Sequence, residues 1–208
     1  YGIIREQNSY VHMAMKLVQG MTLQEIIDDH ILECKKSRGK ALFDFEQKAL
    51  SERLSYFIKI CEAISYAHDR RVIHRDLKPE NVMVGSFREV YLMDWGIAKI
   101  MTEEQESQQA IPQESSKKKS ISGTPGFVAP EYILTGNVEF ASDQYALGAI
   151  LFQLVTLQSH ISGENEKELL KKTLKGQIEY VQHLKNEIKI PKALRAIIAK
   201  AMSHDPND

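Results

Sequence analysis

The stretch that decides the fold is "HRDLKPENVM", residues 74–83. Within it, Asp76 is followed two residues later by Lys78 and three residues after that by Asn81. A carboxylate can orient a hydroxyl group and accept its proton, a lysine can neutralise the charge of a phosphoryl group, and an amide oxygen is a hard ligand that suits Mg²⁺. The three side chains therefore indicate chemistry on a phosphoryl group.

A further carboxylate with a suitable setting lies later in the chain. Asp94, in "LMDWGIAK", follows an apolar strand and precedes a glycine, so its side chain can leave the edge of a sheet at that point. Phosphoryl transfer depends mainly on positioning and on charge neutralisation. Asn81 and Asp94 are therefore candidate metal ligands, although Asn81 could also serve only to cap a turn.

Three more motifs follow the first one in order: "DWG" at 94–96, "SGTPGFVAPE" at 122–131 and "SDQYALG" at 142–148. Together with "HRDLKPEN" they resemble the catalytic loop, metal loop, substrate-binding loop and central helix of the protein kinase superfamily. The similarity is greatest to bacterial serine/threonine kinases of the eukaryotic-like, or Hanks, type, and it covers essentially the whole chain.

The resemblance implies an α+β, protein-kinase-like fold that is here mainly α. A large C-lobe would carry a catalytic β-hairpin, beside a small β remnant of the N-lobe. Residues 1–20 would form the end of the N-lobe, with its last two strands and the hinge, and residues 21–208 a C-lobe that is incomplete at its C-terminus.

The resemblance also implies catalytic roles. Asp76 would be the base that orients the substrate hydroxyl, and Lys78 would contact the γ-phosphate of ATP. Asn81 and Asp94 would hold Mg²⁺, with Mn²⁺ as an alternative ion. Lys78 is typical of kinases that act on serine or threonine, so the implied partners are proteins with such hydroxyls, including the chain itself. Thr124 matches the residue that helps the loop accept these substrates.

The nucleotide site is implied in the same way. Met15 corresponds to the gatekeeper position, and backbone groups of Lys16 and Val18 would meet adenine. Met83 would form part of the floor of the adenine site. The implied cofactors are therefore ATP and a divalent cation.

Regulation is expected to act through the stretch before "APE". Arg75 resembles the arginine that binds a phosphorylated activation loop, the alternative being an ordinary surface arginine. Residues 102–122 are rich in Glu, Gln, Ser and Lys, a composition that predicts a mobile segment. We expect phosphate on one serine of this segment to order it and to raise activity. The candidates are Ser115, Ser116, Ser120 and Ser122.

Four further positions are expected to have structural roles. His74 should be a packed residue and not a base, and Asp143 should accept backbone N–H bonds from the catalytic loop. Trp95 replaces the more usual phenylalanine, and its N–H needs a partner if it is buried. Glu131 is expected to lack the arginine that would pair with it.

Composition limits the kinds of binding partner and the cellular compartment that we expect for this chain. The 27 basic and 28 acidic residues leave a net charge of −1, which does not point to nucleic acid. The longest strongly apolar run, residues 146–155, is too short to span a bilayer. Cys34 and Cys61 show no metal-ligand spacing and are expected to be reduced thiols in a cytoplasmic domain. Similar kinases often carry a membrane anchor elsewhere in the protein.

Local patterns predict the secondary structure. Residues 1–18 indicate two short strands, Thr22 a helix N-cap and residues 33–45 a polar, solvated connection. A helix is predicted from Leu50 to His68, with Ser51 as its cap. Its apolar stripe would consist of Leu54, Phe57, Ile58, Cys61 and Ile64. A hairpin around "GSFR" and helices at 142–157, 166–174 and 192–202 complete the prediction.

Three functional hypotheses remain open at this stage. The leading one is a serine/threonine protein kinase domain. The second is a pseudokinase that binds or scaffolds, and the third is a small-molecule phosphotransferase of the aminoglycoside type, which lacks the "GTPGFVAPE" segment. No Gly-rich loop or "VAIK" lysine precedes Tyr1, so we expect the isolated chain to be a poor kinase.

Overall fold

The computed structural model describes residues 2–5, 11–14, 17–102 and 122–205. Strands β1 (Gly2–Arg5) and β2 (Val11–Ala14) form an antiparallel pair of their own. This pair confirms the two short strands predicted at the start of the chain. The predictions about residues 103–121, including the mobility of this segment, lie outside the described residues.

A three-stranded antiparallel sheet carries the catalytic hairpin. Its order is β3 (Gly20–Thr22), β5 (Val82–Gly85) and β6 (Val90–Leu92), so the predicted hairpin is confirmed. Position 20 requires glycine, because an added Cβ would lie 2.0 Å from the carbonyl oxygen of Val84. A separate pair, β4 (Val72–Ile73) and β7 (Lys99–Ile100), brackets the loop that contains Asp76 and the residues after Asp94.

Helix α1 (Leu23–Lys36) begins at a capping box. Thr22 Oγ1 accepts a hydrogen bond from Glu25 N at 3.1 Å, and Glu25 Oε2 accepts one from Thr22 N at 2.7 Å. The pair satisfies two N–H groups that the first turn leaves without helical partners. The predicted N-cap is therefore confirmed.

The next helix is much longer than the sequence predicts. Helix α2 runs from Gly39 to Asp69, so Ser37 and Arg38 alone separate it from α1. The predicted solvated connection at 33–45 is wrong, and Ser51 is an exposed residue inside the helix and not its cap. The charged residues of this stretch are indeed mostly exposed, but they lie on the outer faces of two helices whose inner faces bury Cys34 and Leu42.

The buried face of α2 also differs from the predicted stripe. Ile64 is buried, but Ile58 is 57% exposed. The inner face contains Arg53, Tyr56 and Ile60 instead. A fully buried arginine breaks the apolar period, and the buried face differs from the predicted stripe by about one residue. The remaining residues of the predicted stripe are partly buried: Leu54, Phe57 and Cys61.

Arg53 is held inside the protein by an ion pair with Glu46. Its Nε also donates to the Leu154 carbonyl oxygen at 2.6 Å, and its Nη1 lies 3.0 Å from Nδ1 of His30. This arrangement joins α1 and α2 to the helix that contains Leu154. A buried charge pair of this kind is tolerated only when its hydrogen bonds are also satisfied.

Two more side chains complete this buried cluster. Cys34 Sγ lies 3.6 Å from Glu46 Oε2, and His183 Nε2 lies 3.3 Å from Glu46 Oε1. Burial and the negative charge of Glu46 raise the pKa of the Cys34 thiol to about 12, so the thiol stays protonated. Spacing along the chain did not indicate this grouping. Because Arg53 already neutralises the charge of Glu46, we interpret this group of buried side chains as an ion-pair cluster.

The C-terminal half is helical. It contains α3 (Pro130–Thr135), α4 (Phe140–Thr156), α5 (Glu166–Leu174) and α6 (Lys192–Ala201), which confirms the helices predicted there. Most of α4 is buried, and it packs against α2 and α6. The fold is thus α+β and mainly helical, as predicted. None of the helices in the described ranges combines the length and the apolar character that a bilayer span needs.

Candidate active site

The loop that begins with "HRD" is anchored to the buried helix α4. Asp143, in the first turn of that helix, accepts hydrogen bonds from the backbone N of His74 at 2.9 Å and of Arg75 at 3.0 Å. The same carboxylate lies 2.8 Å from Nε2 of His68, near the end of α2. The expected structural role of Asp143 is confirmed, and the loop is fixed before any catalytic side chain is considered.

His74 is a fully buried packing residue. Burial lowers the pKa of its imidazole, which is consistent with a neutral ring. Nε2 lies 3.0 Å from the Met93 carbonyl oxygen, and Nδ1 accepts a hydrogen bond from Asp76 N at 3.3 Å. The ring of Trp95 packs on it, and the indole N–H donates to Leu92 O at 3.0 Å. His74 is therefore not placed to act as a base.

Three predicted site residues converge on the carboxylate of Asp76, a fourth. Oδ1 accepts hydrogen bonds from Thr124 Oγ1 at 2.8 Å and from Thr124 N at 3.1 Å. Oδ2 accepts one from Asn81 Nδ2 at 3.0 Å and lies 3.3 Å from Lys78 Nζ. Lys78 Nζ also donates to Thr124 Oγ1 at 2.7 Å. The structure thus joins the "HRDLKPEN" loop directly to the "GTPG" segment.

The charge state of Asp76 follows from these contacts. Burial raises the pKa of its carboxyl, but the hydrogen bonds of Thr124 and Asn81 and the positive charge of Lys78 outweigh that effect. The pKa therefore lies below its ordinary value of 3.8. Near neutral pH the group is an ionised carboxylate that can accept a proton.

Asn81 and Asp94 lie at the same end of the β5–β6 hairpin. Met93 N donates to Asn81 O at 2.8 Å, and Asp94 follows directly. The amide nitrogen of Asn81 donates hydrogen bonds to the Asp76 carbonyl oxygen, at 2.8 Å, and to the Asp76 carboxylate. The amide oxygen of Asn81 is therefore left for another ligand.

Asp94 is exposed and has a left-handed φ of 57°. A non-glycine residue seldom adopts this φ, so the chain turns sharply at Asp94, two residues after the end of β6. An added Cβ at Gly96 would lie 3.2 Å from Asp94 Oδ1, so the glycine keeps space beside the carboxylate. One carboxylate and one amide oxygen are hard ligands that fit a divalent cation.

Arg75 is already engaged by neutral partners. It has a left-handed φ of 74°, its Nη1 donates to Ile97 O at 3.1 Å and its Nη2 donates to Tyr132 OH at 3.0 Å. The Tyr132 oxygen also accepts a hydrogen bond from Ser122 N at 3.1 Å. Arg75 Nε is buried and makes no hydrogen bond within the described residues.

Tyr132 is a site residue that the sequence analysis missed. Its buried hydroxyl connects the catalytic loop, through Arg75, to the start of the segment that delivers Thr124 to Asp76. Burial raises the pKa of this phenol, but hydrogen bonds from Ser122 and Arg75 outweigh it and lower the pKa. A tyrosine one residue after "APE" carries no local signal of this role.

We expect Tyr132→Phe to lower kcat about tenfold, because two donors, Arg75 Nη2 and Ser122 N, lose their shared acceptor. The ring packing is retained, so the variant should still fold, although the two unpaired donors should lower the melting temperature by a few degrees. Amide hydrogen exchange should accelerate at Ser122 and Thr124, and this exchange together with kcat measures the effect. Tyr180→Phe, an exposed tyrosine that also contacts an arginine, is the matched control. Unchanged exchange at Ser122 would contradict this role of Tyr132.

The remaining predicted site residues lie partly outside the described ranges. Met83 is half-buried in β5, opposite Thr22 and Tyr91, and Val18 is half-buried just before β3. Their contacts with adenine stay a prediction. Outside the described residues lie Met15, Lys16, Ser115, Ser116 and Ser120.

Glu131 makes no ion pair within the described residues, and its expected lack of an arginine partner stays a prediction. Ser142 Oγ donates to its Oε1 at 3.3 Å, and burial raises the pKa of the carboxyl above its ordinary value of 4.5. The folded state therefore binds the Glu131 proton more tightly than the unfolded state. The resulting contribution to stability is complete below pH 4.5 and is lost as the pH rises through the folded-state pKa.

We expect Glu131→Gln to raise the melting temperature of this chain at pH 7, since the amide avoids the cost of a buried charge and can still accept from Ser142. The gain should disappear at about pH 4, where Glu131 is protonated. Differential scanning calorimetry at the two pH values measures the difference. Glu187→Gln, which changes an exposed glutamate, is the control. A variant that is less stable than wild type at pH 7 would contradict the expectation.

Comparison with known proteins gives the family. The protein-family model described as "Protein kinase domain" matches residues 1–208. Serine/threonine-protein kinase PknD of Protochlamydia amoebophila is 33% identical over 210 residues, covering 97% of this chain and 21% of that protein. PknD of Chlamydia pneumoniae is 32% identical over 216 residues, covering 100% and 22%. The chain thus spans about a fifth of the length of these relatives. It belongs to the protein kinase family, in the bacterial Hanks-type serine/threonine branch.

Proposed function

We propose that this domain transfers the γ-phosphate of ATP to serine or threonine hydroxyls of proteins. The observation that carries the proposal is the Asp76 carboxylate, ionised and contacted at once by Lys78, Asn81 and Thr124. A general base, a cation and a substrate-side hydroxyl are thereby held within one hydrogen-bonded group. Phosphoryl transfer requires such preorganised positioning more than it requires covalent chemistry by the protein.

The chain's own residues would act as follows. Asp76 orients the substrate hydroxyl and accepts its proton as the oxygen–phosphorus bond forms and the bond from the γ-phosphorus to the β-phosphate oxygen breaks. Lys78 neutralises charge on the transferred group. Asn81 and Asp94 would hold Mg²⁺, which supplies charge neutralisation at the phosphates when bound. Met15, Lys16, Val18 and Met83 are the proposed adenine contacts.

Thr124 gives the site its proposed substrate preference. Its hydroxyl bridges Asp76 and Lys78, at 2.8 and 2.7 Å, and so stands on the side from which a peptide hydroxyl would approach. The relatives named above are serine/threonine-protein kinases. Protein serines and threonines, including those of the chain itself, are therefore the proposed acceptors.

The proposal is tested by incubating the protein with Mg-ATP and three peptides that differ only in their acceptor: serine, threonine or tyrosine. We expect transfer to serine and threonine and at least about a hundredfold less to tyrosine. Mass spectrometry identifies the phosphorylated residue. ATP binding without transfer to any hydroxyl would favour the scaffold hypothesis instead.

The domain limits and the regulation belong to the same proposal. Residues 1–20 would be the end of the small lobe and residues 21–208 the large lobe, in a protein that acts in the cytoplasm. Ser122 is two hydrogen bonds from Arg75, through Tyr132, so a phosphate on this residue could replace Tyr132 as the partner of the guanidinium. Mass spectrometry of active protein that shows no phosphate at 115–122 would count against this regulation.

A further inference from the structure

His160 is a buried histidine that the mechanism proposed above leaves unused. It lies four residues after the end of α4 and is 2% exposed. Its Nε2 lies 2.6 Å from the carbonyl oxygen of Gly126, in the "GTPG" segment that delivers Thr124 to Asp76. Because a carbonyl oxygen can only accept a hydrogen bond, Nε2 must be the protonated nitrogen of the ring. The imidazole therefore donates a hydrogen bond to the "GTPG" segment.

Two aromatic rings hold the imidazole in place. Phe127 and Phe152 make edge-to-face contacts with it, at centroid distances of 5.8 and 6.0 Å. Burial lowers the pKa of His160 to about 4, so the ring is neutral near pH 7. A neutral imidazole has one N–H group, and here that group is directed at Gly126. The contact is thus one hydrogen bond between neutral groups in a packed setting.

The backbone on both sides of this contact is also fixed. Glu179 N donates to the His160 carbonyl oxygen at 2.7 Å, and Ser159 Oγ donates to the Ile161 carbonyl oxygen at 2.6 Å. On the other side, Gly126 has a left-handed φ of 95°, and an added Cβ would lie 3.4 Å from Ile161 Cγ2. Glycine suits this position because other residues rarely adopt such a φ. The loop after α4 is therefore a firm support for Gly126.

Gly126 is two residues away from the contact between Thr124 and the catalytic carboxylate. Phe127 N donates to the Thr124 carbonyl oxygen at 3.0 Å, which closes a tight turn over residues 124–127. Within this turn, Thr124 N and Thr124 Oγ1 both donate to Asp76 Oδ1. A displacement of Gly126 would therefore reach Thr124 through one short turn.

We propose that His160 is a positioning residue for the protein substrate, which acts by holding the carbonyl oxygen of Gly126 and thereby the turn that contains Thr124. His160 acts only through this turn. Its described contacts include neither Asn81 nor Asp94, the proposed metal ligands. The inference rests on the proposed function, because it names the residue that orients the substrate side of the same site.

Loss of the hydrogen bond should therefore affect the protein substrate and not the nucleotide. A buried carbonyl oxygen that loses its donor is costly, so Gly126 should shift toward another partner. We expect His160→Leu to raise KM for a serine peptide about tenfold, with a smaller change in kcat, and to leave KM for ATP within about twofold.

Two amide variants separate the hydrogen bond from the packing of the ring. The amide nitrogen of His160→Gln can reach the Gly126 oxygen, whereas the shorter side chain of His160→Asn falls short of it. We expect His160→Gln to keep most of the wild-type peptide KM and His160→Asn to behave like His160→Leu. His160→Asn also serves as the loss variant if His160→Leu does not fold.

Initial rates with Mg-ATP and the serine peptide measure these constants, well below the melting temperature of each variant. His204→Leu is the matched control, because His204 is exposed and its Nε2 also contacts a carbonyl oxygen, that of Leu174 at 3.0 Å. This control should leave both KM values unchanged. An unchanged peptide KM in His160→Leu and His160→Asn would overturn the positioning role. Equal increases in the peptide and ATP KM values, or no recovery in His160→Gln, would also overturn it.

Amide hydrogen exchange gives a readout that does not require catalysis. The Thr124 and Phe127 amides, which donate within the turn and to Asp76, should exchange about tenfold faster in His160→Leu and at the wild-type rate in His160→Gln. The same acceleration throughout the chain would show general destabilisation and would contradict the proposal. If the wild-type protein phosphorylates no peptide, the proposed function fails, while the exchange pattern still decides whether His160 holds this turn.

Discussion

Asp76→Asn is expected to reduce phosphoryl transfer about 10²- to 10⁴-fold, the usual contribution of a positioned general base. The amide has nearly the shape of the carboxylate, so Thr124 can still donate to its oxygen. The amide nitrogen, however, cannot accept the substrate proton. The new amide nitrogen would also face two donors, Asn81 Nδ2 and Lys78 Nζ, which contact Asp76 Oδ2 in the wild-type protein.

The measurement separates chemistry from binding. Single-turnover transfer from Mg-ATP should fall, while the nucleotide Kd, measured by calorimetry, should stay within about twofold, because the proposed mechanism has Asp76 contact the acceptor and not the base or ribose. Asp69→Asn, an exposed aspartate at the end of α2, is the control and should leave both values unchanged. Transfer at the wild-type rate in Asp76→Asn would remove this residue from the mechanism.

The pH dependence of the wild-type rate provides an independent check on Asp76. A folded pKa below 3.8 means that the carboxylate is ionised throughout the range in which the protein is assayed. Its contribution to stability is present above the unfolded pKa and is lost as the pH falls through the folded value. We therefore expect no acidic limb from Asp76 above about pH 5 in a plot of kcat against pH.

Arg53→Met is expected to lower the free energy of unfolding by about 3–5 kcal/mol, the effect of breaking a buried ion pair from one side. The substitution leaves Glu46 charged and buried, and it removes the donor to Leu154 O. Burial raises the pKa of Glu46, but His183 and Arg53 together hold it below its ordinary value of 4.5. Removing the guanidinium should therefore raise that pKa, and the loss should be smaller in acid, where Glu46 is protonated.

A double variant distinguishes the unpaired charge from the lost packing. Arg53→Met combined with Glu46→Leu removes both charges and should recover most of the stability, because well-packed apolar replacements of buried ion pairs are often neutral. Arg88→Met, which breaks the exposed contact with Glu52, is the matched control and should change stability by less than about 1 kcal/mol. Urea denaturation measures the free energy of unfolding of the single variant, the double variant and the control. A single variant as stable as the double one would show that the Glu46 charge is not the cause.

Much of the site could be predicted from sequence because its parts are close together in the chain. Asp76, Lys78 and Asn81 lie within one short loop, so their spacing already implies that they act together. The capping box of Thr22 and Glu25 likewise lies within four residues, and an almost unbroken apolar run indicates that α4 is buried. Such signals are local, and tertiary packing does not change them.

The contacts that assemble the site were beyond this kind of inference. Thr124 reaches Asp76 from 48 residues away, and Asp143 fixes Arg75 from 68 residues away. A resemblance to kinases could name roles for Thr124 and Asp143. It could not show that the Tyr132 hydroxyl links Arg75 to Ser122.

The sequence by itself determined the family, the grouping of Asp76, Lys78 and Asn81 in one loop and most of the helices. Only the tertiary structure decided where α2 begins, which of its faces is buried and which side chains surround Asp76. The physical reason is that helix periods and caps depend on residues that are neighbours in the chain, whereas the free-energy cost of a buried charge depends on its partners in space. Arg53 lies outside the apolar stripe that the sequence predicts, and it is a core residue because Glu46 and the Leu154 carbonyl group satisfy it.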